Sequence, residues 1–134
     1  MITACEWLNV FVDQQAQIRR GGEKNGIWYI TVDRPGTYEF ELRRWPRETG
    51  LVLQDGVEST TVTDGTYVEG APMDIQSARI RIGDQEKSEN IETTDESASF
   101  TFELEKGGST IETWFYDGDD QPICGAYYVY IKRI

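Results

Sequence analysis

The chain contains no histidine among its 134 residues. That removes the commonest general base, the Ser-His and Cys-His nucleophile pairs and the commonest metal ligand together. Cysteine is nearly as scarce. Cys5 and Cys124 stand near opposite ends at a spacing that fits no zinc or redox motif, leaving either two small buried thiols or a disulfide between the first and last strands. Long apolar runs are missing too: the longest, such as residues 126–131, fall far short of the roughly 20 residues a membrane-spanning helix needs. No membrane partner is expected. The N-terminal residues show no basic segment followed by an apolar one, so no signal peptide is visible in this chain. Positive charge is in deficit, with 13 Lys and Arg against 24 Asp and Glu, a net charge of −11. Such a surface repels polyanions, and nucleic acid is not an expected partner.

The deficit is uneven. Residues 1–50 hold seven basic and seven acidic residues, whereas residues 51–134 hold six and seventeen, so any anion-binding site belongs in the first half. Paired carboxylates can hydrolyse glycosides, but the acids here alternate with core positions or sit in turns, the pattern of a solvated face, and no pair stands out. Asp117-Gly118-Asp119-Asp120 resembles the start of a calcium loop but lacks the sixth-position glycine and twelfth-position glutamate of an EF-hand, which favours a hairpin turn. Glycines are dispersed and form no phosphate-cradling loop opening a helix. No catalytic residue, metal or cofactor is assigned.

What the chain has in quantity is period-two alternation. Trp28, Ile30 and Val32 form one face, and Tyr38, Phe40 and Leu42 another. Ala78, Ile80 and Ile82 are interleaved with Arg79 and Arg81, and Phe100, Phe102 and Leu104 with Thr101, Glu103 and Glu105. The last two strands, near residues 111–116 and 126–131, are apolar or aromatic at nearly every position, which predicts central or doubly covered strands. Asn25-Gly26, Asp55-Gly56, Asp64-Gly65 and Asp117-Gly118 can each turn a hairpin, and Pro35-Gly36 and Gly107-Gly108 punctuate in the same way. Residues 83–97 read as a long acidic loop around a short edge strand, and residues 49–72 as a second loop. With no helical periodicity over three turns, the expectation is one all-β domain, an antiparallel β-sandwich of jelly-roll-like or immunoglobulin-like type.

The densest chemical feature is Arg43-Arg44-Trp45-Pro46-Arg47, which follows an alternating strand. Three guanidiniums beside an indole can grip a sulfate, phosphate or carboxylate while the ring stacks on a sugar. Alternation offers a structural reading as well: it continues the inward face to Arg44, as a buried ion-pair partner, and turns Arg43 and Trp45 outward, Trp45 as a rim-packing residue. Arg19-Arg20 is a second basic pair that adds to the first if the two loops meet. Trp114-Phe115-Tyr116 and Tyr127-Tyr128-Tyr130 could form a sugar platform, although alternation already sends half of these rings inward.

The segments 36–48 and 104–130, with their Arg-Arg-Trp-Pro-Arg-Glu and Gly-Ala-Tyr-Tyr-Val-Tyr runs, resemble the C-terminal domain found behind the catalytic domain of some bacterial arylsulfatase-like proteins. Residues 7–13 and 17–21 extend the resemblance over most of the chain outside the two long loops. It implies that residues 1–134 are the C-terminal part of a longer sulfatase-like protein, consistent with strand-like sequence at both ends, and that the parent cleaves sulfate esters in the periplasm or outside the cell. The Cys/Ser-x-Pro-x-Arg motif of such enzymes does not carry over: two residues before Pro35, Pro46, Pro72 and Pro122 stand Asp33, Arg44, Gly70 and Asp120. The implied role is a non-catalytic accessory domain that packs on a sulfatase-type catalytic domain and contacts sulfated carbohydrate. Two alternatives remain: a free-standing carbohydrate-binding module using Trp45, Trp114 or Tyr127, and a purely structural interface domain.

Overall fold

The structure, a computed structural model, describes residues 1–12, 15–20, 24–67 and 69–134. Asp13 and Gly21, part of the resemblance, lie outside the described residues. Eleven strands are described: β1 (Ile2–Thr3), β2 (Ile27–Val32), β3 (Gly36–Arg43), β4 (Thr60–Val62), β5 (Gly65–Tyr67), β6 (Ser77–Ile82), β7 (Gln85–Asn90), β8 (Ala98–Leu104), β9 (Gly107–Tyr116), β10 (Pro122–Cys124) and β11 (Tyr128–Arg133). One five-residue helix, α1 (Gln15–Arg19), accompanies them. Two antiparallel sheets form the sandwich, one in the order β1-β11-β3-β8 and the other in the order β10-β9-β6-β7, with β2 also paired to β9. The alternation predicted this all-β architecture.

Each alternating strand sends its apolar row between the sheets. Phe40 and Leu42 of β3 meet Phe100 and Phe102 of β8, the Phe40 and Phe102 rings edge to face with centroids 5.8 Å apart. The other sheet contributes Trp28, Ala78, Ile80, Ile82, Ile111 and Phe115. Near the β1 end, Trp7 lies 5.5 Å from Trp28 and 6.1 Å from Tyr127, ring centre to ring centre. The Trp28 indole N–H donates to the Thr3 carbonyl at 2.8 Å, so the polar end of a buried ring is satisfied.

Strand β9 is central as expected, flanked by β6 on one side and by β2 and β10 on the other. Strand β11 is less so. It begins at Tyr128, and short β1 covers only Tyr128 and Val129 on its outer edge. Residues 83–97 contain the expected edge strand, β7, which is exposed throughout and folds back on β6 through Gly83-Asp84. Gly83 there has φ of 58°, which suits glycine in the first position of a two-residue hairpin turn.

Two turn expectations fail. Asn25-Gly26 is not a hairpin: Gly26 is buried, and a Cβ there would strike the Trp7 side chain. Asp55-Gly56 lies in a loop in which Val57 and Gly70 exchange backbone hydrogen bonds, and a Gly56 Cβ would meet the Gly70 carbonyl oxygen. In both places glycine is required by close approach and not by a turn. Asp64-Gly65 does sit at the β4–β5 hairpin. Residues 49–72, expected as a loop, contain the β4–β5 hairpin among their described residues, and the segment before it buries Leu53 completely.

The cysteine expectation is corrected in part. Both thiols are free, and Cys124 is buried, but Cys5 is exposed.

Candidate functional site

Strand β3 carries Glu41 and Arg43 on the outer face of its sheet, and the chain turns at Pro46 to bring Arg47 back over that face. Arg43 and Arg47 both ion-pair with Glu41, Arg47 Nε at 2.9 Å, and Arg43 lies 3.4 Å from Glu96. Burial pushes the Glu41 carboxyl up, but the hydrogen bonds from Arg47 and Arg43 outweigh it and hold the group below the usual carboxylate range. The Arg47 guanidinium also stacks over Tyr130 at 4.1 Å. Only Arg47 of this pair of cations is substantially open to solvent, its side chain half exposed against 9% for Arg43.

Arg44 points the other way and is fully buried. Its expected ion-pair partner is not found among the described residues. Instead it donates to the carbonyls of Asp55, at 2.9 Å, and Ala71, and its Nε has no hydrogen-bond partner. Burial lowers its pKa from the ordinary guanidinium value, against opposing influences from Cys124, Tyr127 and Asp55; of these Cys124 and Tyr127 are neutral at pH 7 because burial pushes both upward, Cys124 to about 12. Trp45, expected on the rim, is also buried, under the loop: its indole N–H donates to the Asp55 carbonyl at 3.1 Å, and the Arg44 guanidinium lies 4.5 Å from the ring centre. Alternation signalled the inward Arg44, but nothing local signals the covering of Trp45.

The two basic segments do meet, through Ala71. Its amide donates to the Arg19 carbonyl at the end of α1, and its carbonyl receives Arg44. Arg19 is buried and Arg20 exposed. The six arginine and tryptophan positions therefore divide: Arg44, Trp45 and Arg19 are structural pins, Arg43 is largely enclosed with Glu41, and Arg47 and Arg20 face solvent.

A second surface contains Trp114 and Tyr116, two of the rings read from the sequence as a sugar platform, but with cationic neighbours that the sequence did not indicate. On the outer face of β9, Trp114 and Tyr116 are half-buried, and β6 lays Arg81 over Trp114 at 5.2 Å and Arg79 over Tyr116 at 4.8 Å. Arg81 in turn pairs with Glu86 at 2.8 Å and Glu112 at 3.4 Å. On the β10 side, Trp114 walls a shallow pocket of about 290 Å³ with Lys24, Asn25, Pro122, Ile123 and Cys124. Phe115, between the two rings, and Tyr127 are buried in the core. The signal for this surface lies in cross-strand register, which pairs Arg79 with Trp114, and register is not written in one strand.

The Asp117–Asp120 run is a turn: Asp117 Oδ1 accepts the amides of Asp119 and Gln121, both at 2.9 Å. Among the described residues no group of three or more His, Cys, Asp or Glu is placed to hold a metal ion. No family model matches the chain, and no curated protein and no solved structure matches it either.

Proposed function

We propose that this chain is a non-catalytic accessory domain of an arylsulfatase-like hydrolase, packing on the catalytic domain and offering Arg47 and Arg20 to a sulfated glycan. One observation carries the reading. The two sequence runs that resemble the sulfatase C-terminal domain are the two that pack on each other: Tyr128, Val129 and Tyr130 pair with Arg43, Leu42 and Glu41, and Arg47 covers Tyr130. A pattern that builds one junction of the fold is the kind that a domain family would share, and its arginines need no reaction to explain them. The lack of histidine in the whole chain fits a role without general-base chemistry.

The test has two arms. The DNA upstream of the Met1 codon is read in frame, and a Cys/Ser-x-Pro-x-Arg motif is expected there; an unrelated coding sequence would overturn the assignment. The isolated chain is then incubated with a chromogenic aryl sulfate ester, and turnover above a no-enzyme control would overturn the non-catalytic role.

A further inference from the structure

Three of the four tryptophans, Trp7, Trp28 and Trp45, are at most 6% exposed, each in the core or under a loop. Trp114 alone is placed on an outer sheet face, where a large apolar ring is left in contact with water. Its surroundings differ on its two sides. Strand β6 brings the Arg81 guanidinium against it, fixed in place by Glu86 and Glu112. Strand β10, on the opposite side of β9, leaves the indole as one wall of the pocket whose other walls are Pro122, Ile123, Cys124, Lys24 and Asn25.

The chemistry of that pocket is specific. An indole with apolar neighbours matches the C–H face of a sugar ring, while the ring's edge needs hydrogen-bonding groups. Lys24 Nζ gives one proton to the Phe11 carbonyl at 3.0 Å, which steers the ammonium and leaves two donors. Asn25 also lines the pocket, but its Oδ1 is buried against Gly125 and closed off from solvent, which leaves Lys24 as the polar group facing a ligand. A volume of about 290 Å³ sits at the lower end of small-molecule sites and is enough for one sugar ring. We infer that Trp114 is a stacking platform for a single pyranose ring of a glycan, with Lys24 addressing its hydroxyl or acidic substituents.

This site is separate from the Arg43–Arg47 region and does not require the accessory-domain reading. The two fail independently, since one is decided by upstream coding sequence and the other by binding.

Because the remaining tryptophans are buried, acrylamide quenching of native fluorescence reports chiefly on Trp114. The full chain is titrated with sulfated galactan tetrasaccharide, its desulfated form, a heparin tetrasaccharide, cellotetraose and chitotetraose. At least one of these is expected to protect the quenchable fraction saturably, and Trp114→Ala is expected to weaken that binding by about tenfold or more. Lys24→Gln, at an exposed edge, should weaken only ligands with an acidic group, so the sulfated and desulfated arms tell the two substituents apart. Should Trp114→Ala prove poorly folded, Trp114→Phe with chemical-shift mapping of Asn25 and Ile123 replaces it. No protection by any glycan, or equal binding by the variant, overturns the proposal. So does protection that grows with protein concentration alone, which would mark the face as a contact between copies.

Discussion

Replacing Arg44 tests how this sandwich holds its longest loop. The guanidinium is fully buried and links β3 to the loop at Asp55 and Ala71. A hydrogen bond from a charged donor contributes about 1.5–3 kcal/mol, and an orphaned buried carbonyl costs about 1–3 kcal/mol. Truncation does not orphan both acceptors, because the Asp55 carbonyl keeps the Trp45 indole N–H. Against the loss stands relief: no carboxylate pairs with the cation among the described residues, and replacing a buried charge by an apolar side chain of similar length is often neutral or favourable. Arg44→Met, which keeps the stem, should therefore cost about 1–3 kcal/mol, whereas Arg44→Ala adds a cavity and should cost about 3–5 kcal/mol. Arg44→Lys keeps the buried charge but gives up the planar fork that reaches two carbonyls, and should cost more than Met, about 2–4 kcal/mol. Urea unfolding followed by tryptophan fluorescence gives the ranking. Hydrogen exchange gives the place: the paired amides of Val57 and Gly70 should lose protection before the strands do. A lysine variant within about 0.5 kcal/mol of the parent, or methionine worse than lysine, would refute the reasoning, because either would mean that the charge itself is stabilised.

Four further outcomes follow from the structure. Glu41, held below its usual pKa by Arg47 and Arg43, stabilises the fold above the unfolded carboxylate value, and that contribution is lost as pH falls through the lower folded value. Glu41→Gln should thus cost about 1–3 kcal/mol at pH 7 and progressively less as pH falls below the unfolded carboxylate value; unfolding curves whose cost does not shrink on acidification would contradict this. Cys124, raised by burial from 9.0 to about 12, favours the folded state fully below pH 9, and its contribution declines as pH rises toward 12. Alkaline destabilisation between those values should be shallower in Cys124→Ala, with Tyr127 and Tyr128, both raised by burial, still contributing, and parallel curves would argue against it. The same thiols should differ in reactivity, with one fast equivalent of a disulfide reagent consumed by the native protein at exposed Cys5 and a second only after unfolding. Gly26→Ala forces a Cβ against the Trp7 ring and should cost about 2–3 kcal/mol, whereas Gly50→Ala, whose Cβ meets open space, should cost about 1 kcal/mol through its left-handed backbone alone, a difference that thermal unfolding resolves.

The fold was legible wherever one face of a strand is dry and the other wet. The rows Ala78, Ile80, Ile82 and Phe100, Phe102, Leu104 are all buried, and Thr101 and Glu103 between the latter are exposed, because a pleated strand turns successive side chains to opposite faces. The glycine dipeptides were less informative. Gly26 and Gly56 look like turn residues in sequence, yet each is fixed by a partner, Trp7 or Gly70, that lies 14 or more residues away along the chain. Local pattern reports local conformation and is silent on what comes to rest on it.

The same limit separates the two candidate surfaces. Arg43-Arg44-Trp45-Pro46-Arg47 drew attention because its cations are adjacent in sequence, but adjacency on a strand sends neighbours to opposite faces, and the turn at Pro46 then brings Arg47 back onto Glu41. Cations that looked like one cluster become a buried pin, an enclosed ion pair and one exposed group. Trp114 stood out only as part of an aromatic run, without the cations that flank it. Arg81 and Lys24 are far from it in sequence and reach it through β6 and the segment before β2. Sequence density therefore favoured a surface on which only Arg47 of the strand-end cations stays open, while the sheet register set Arg81 beside Trp114 and left the ring's β10 side lining a pocket. For an acidic chain, a ligand held by ring stacking and one or two cations is also the electrostatically cheaper kind, since it does not bring a polyanion against a net charge of −11.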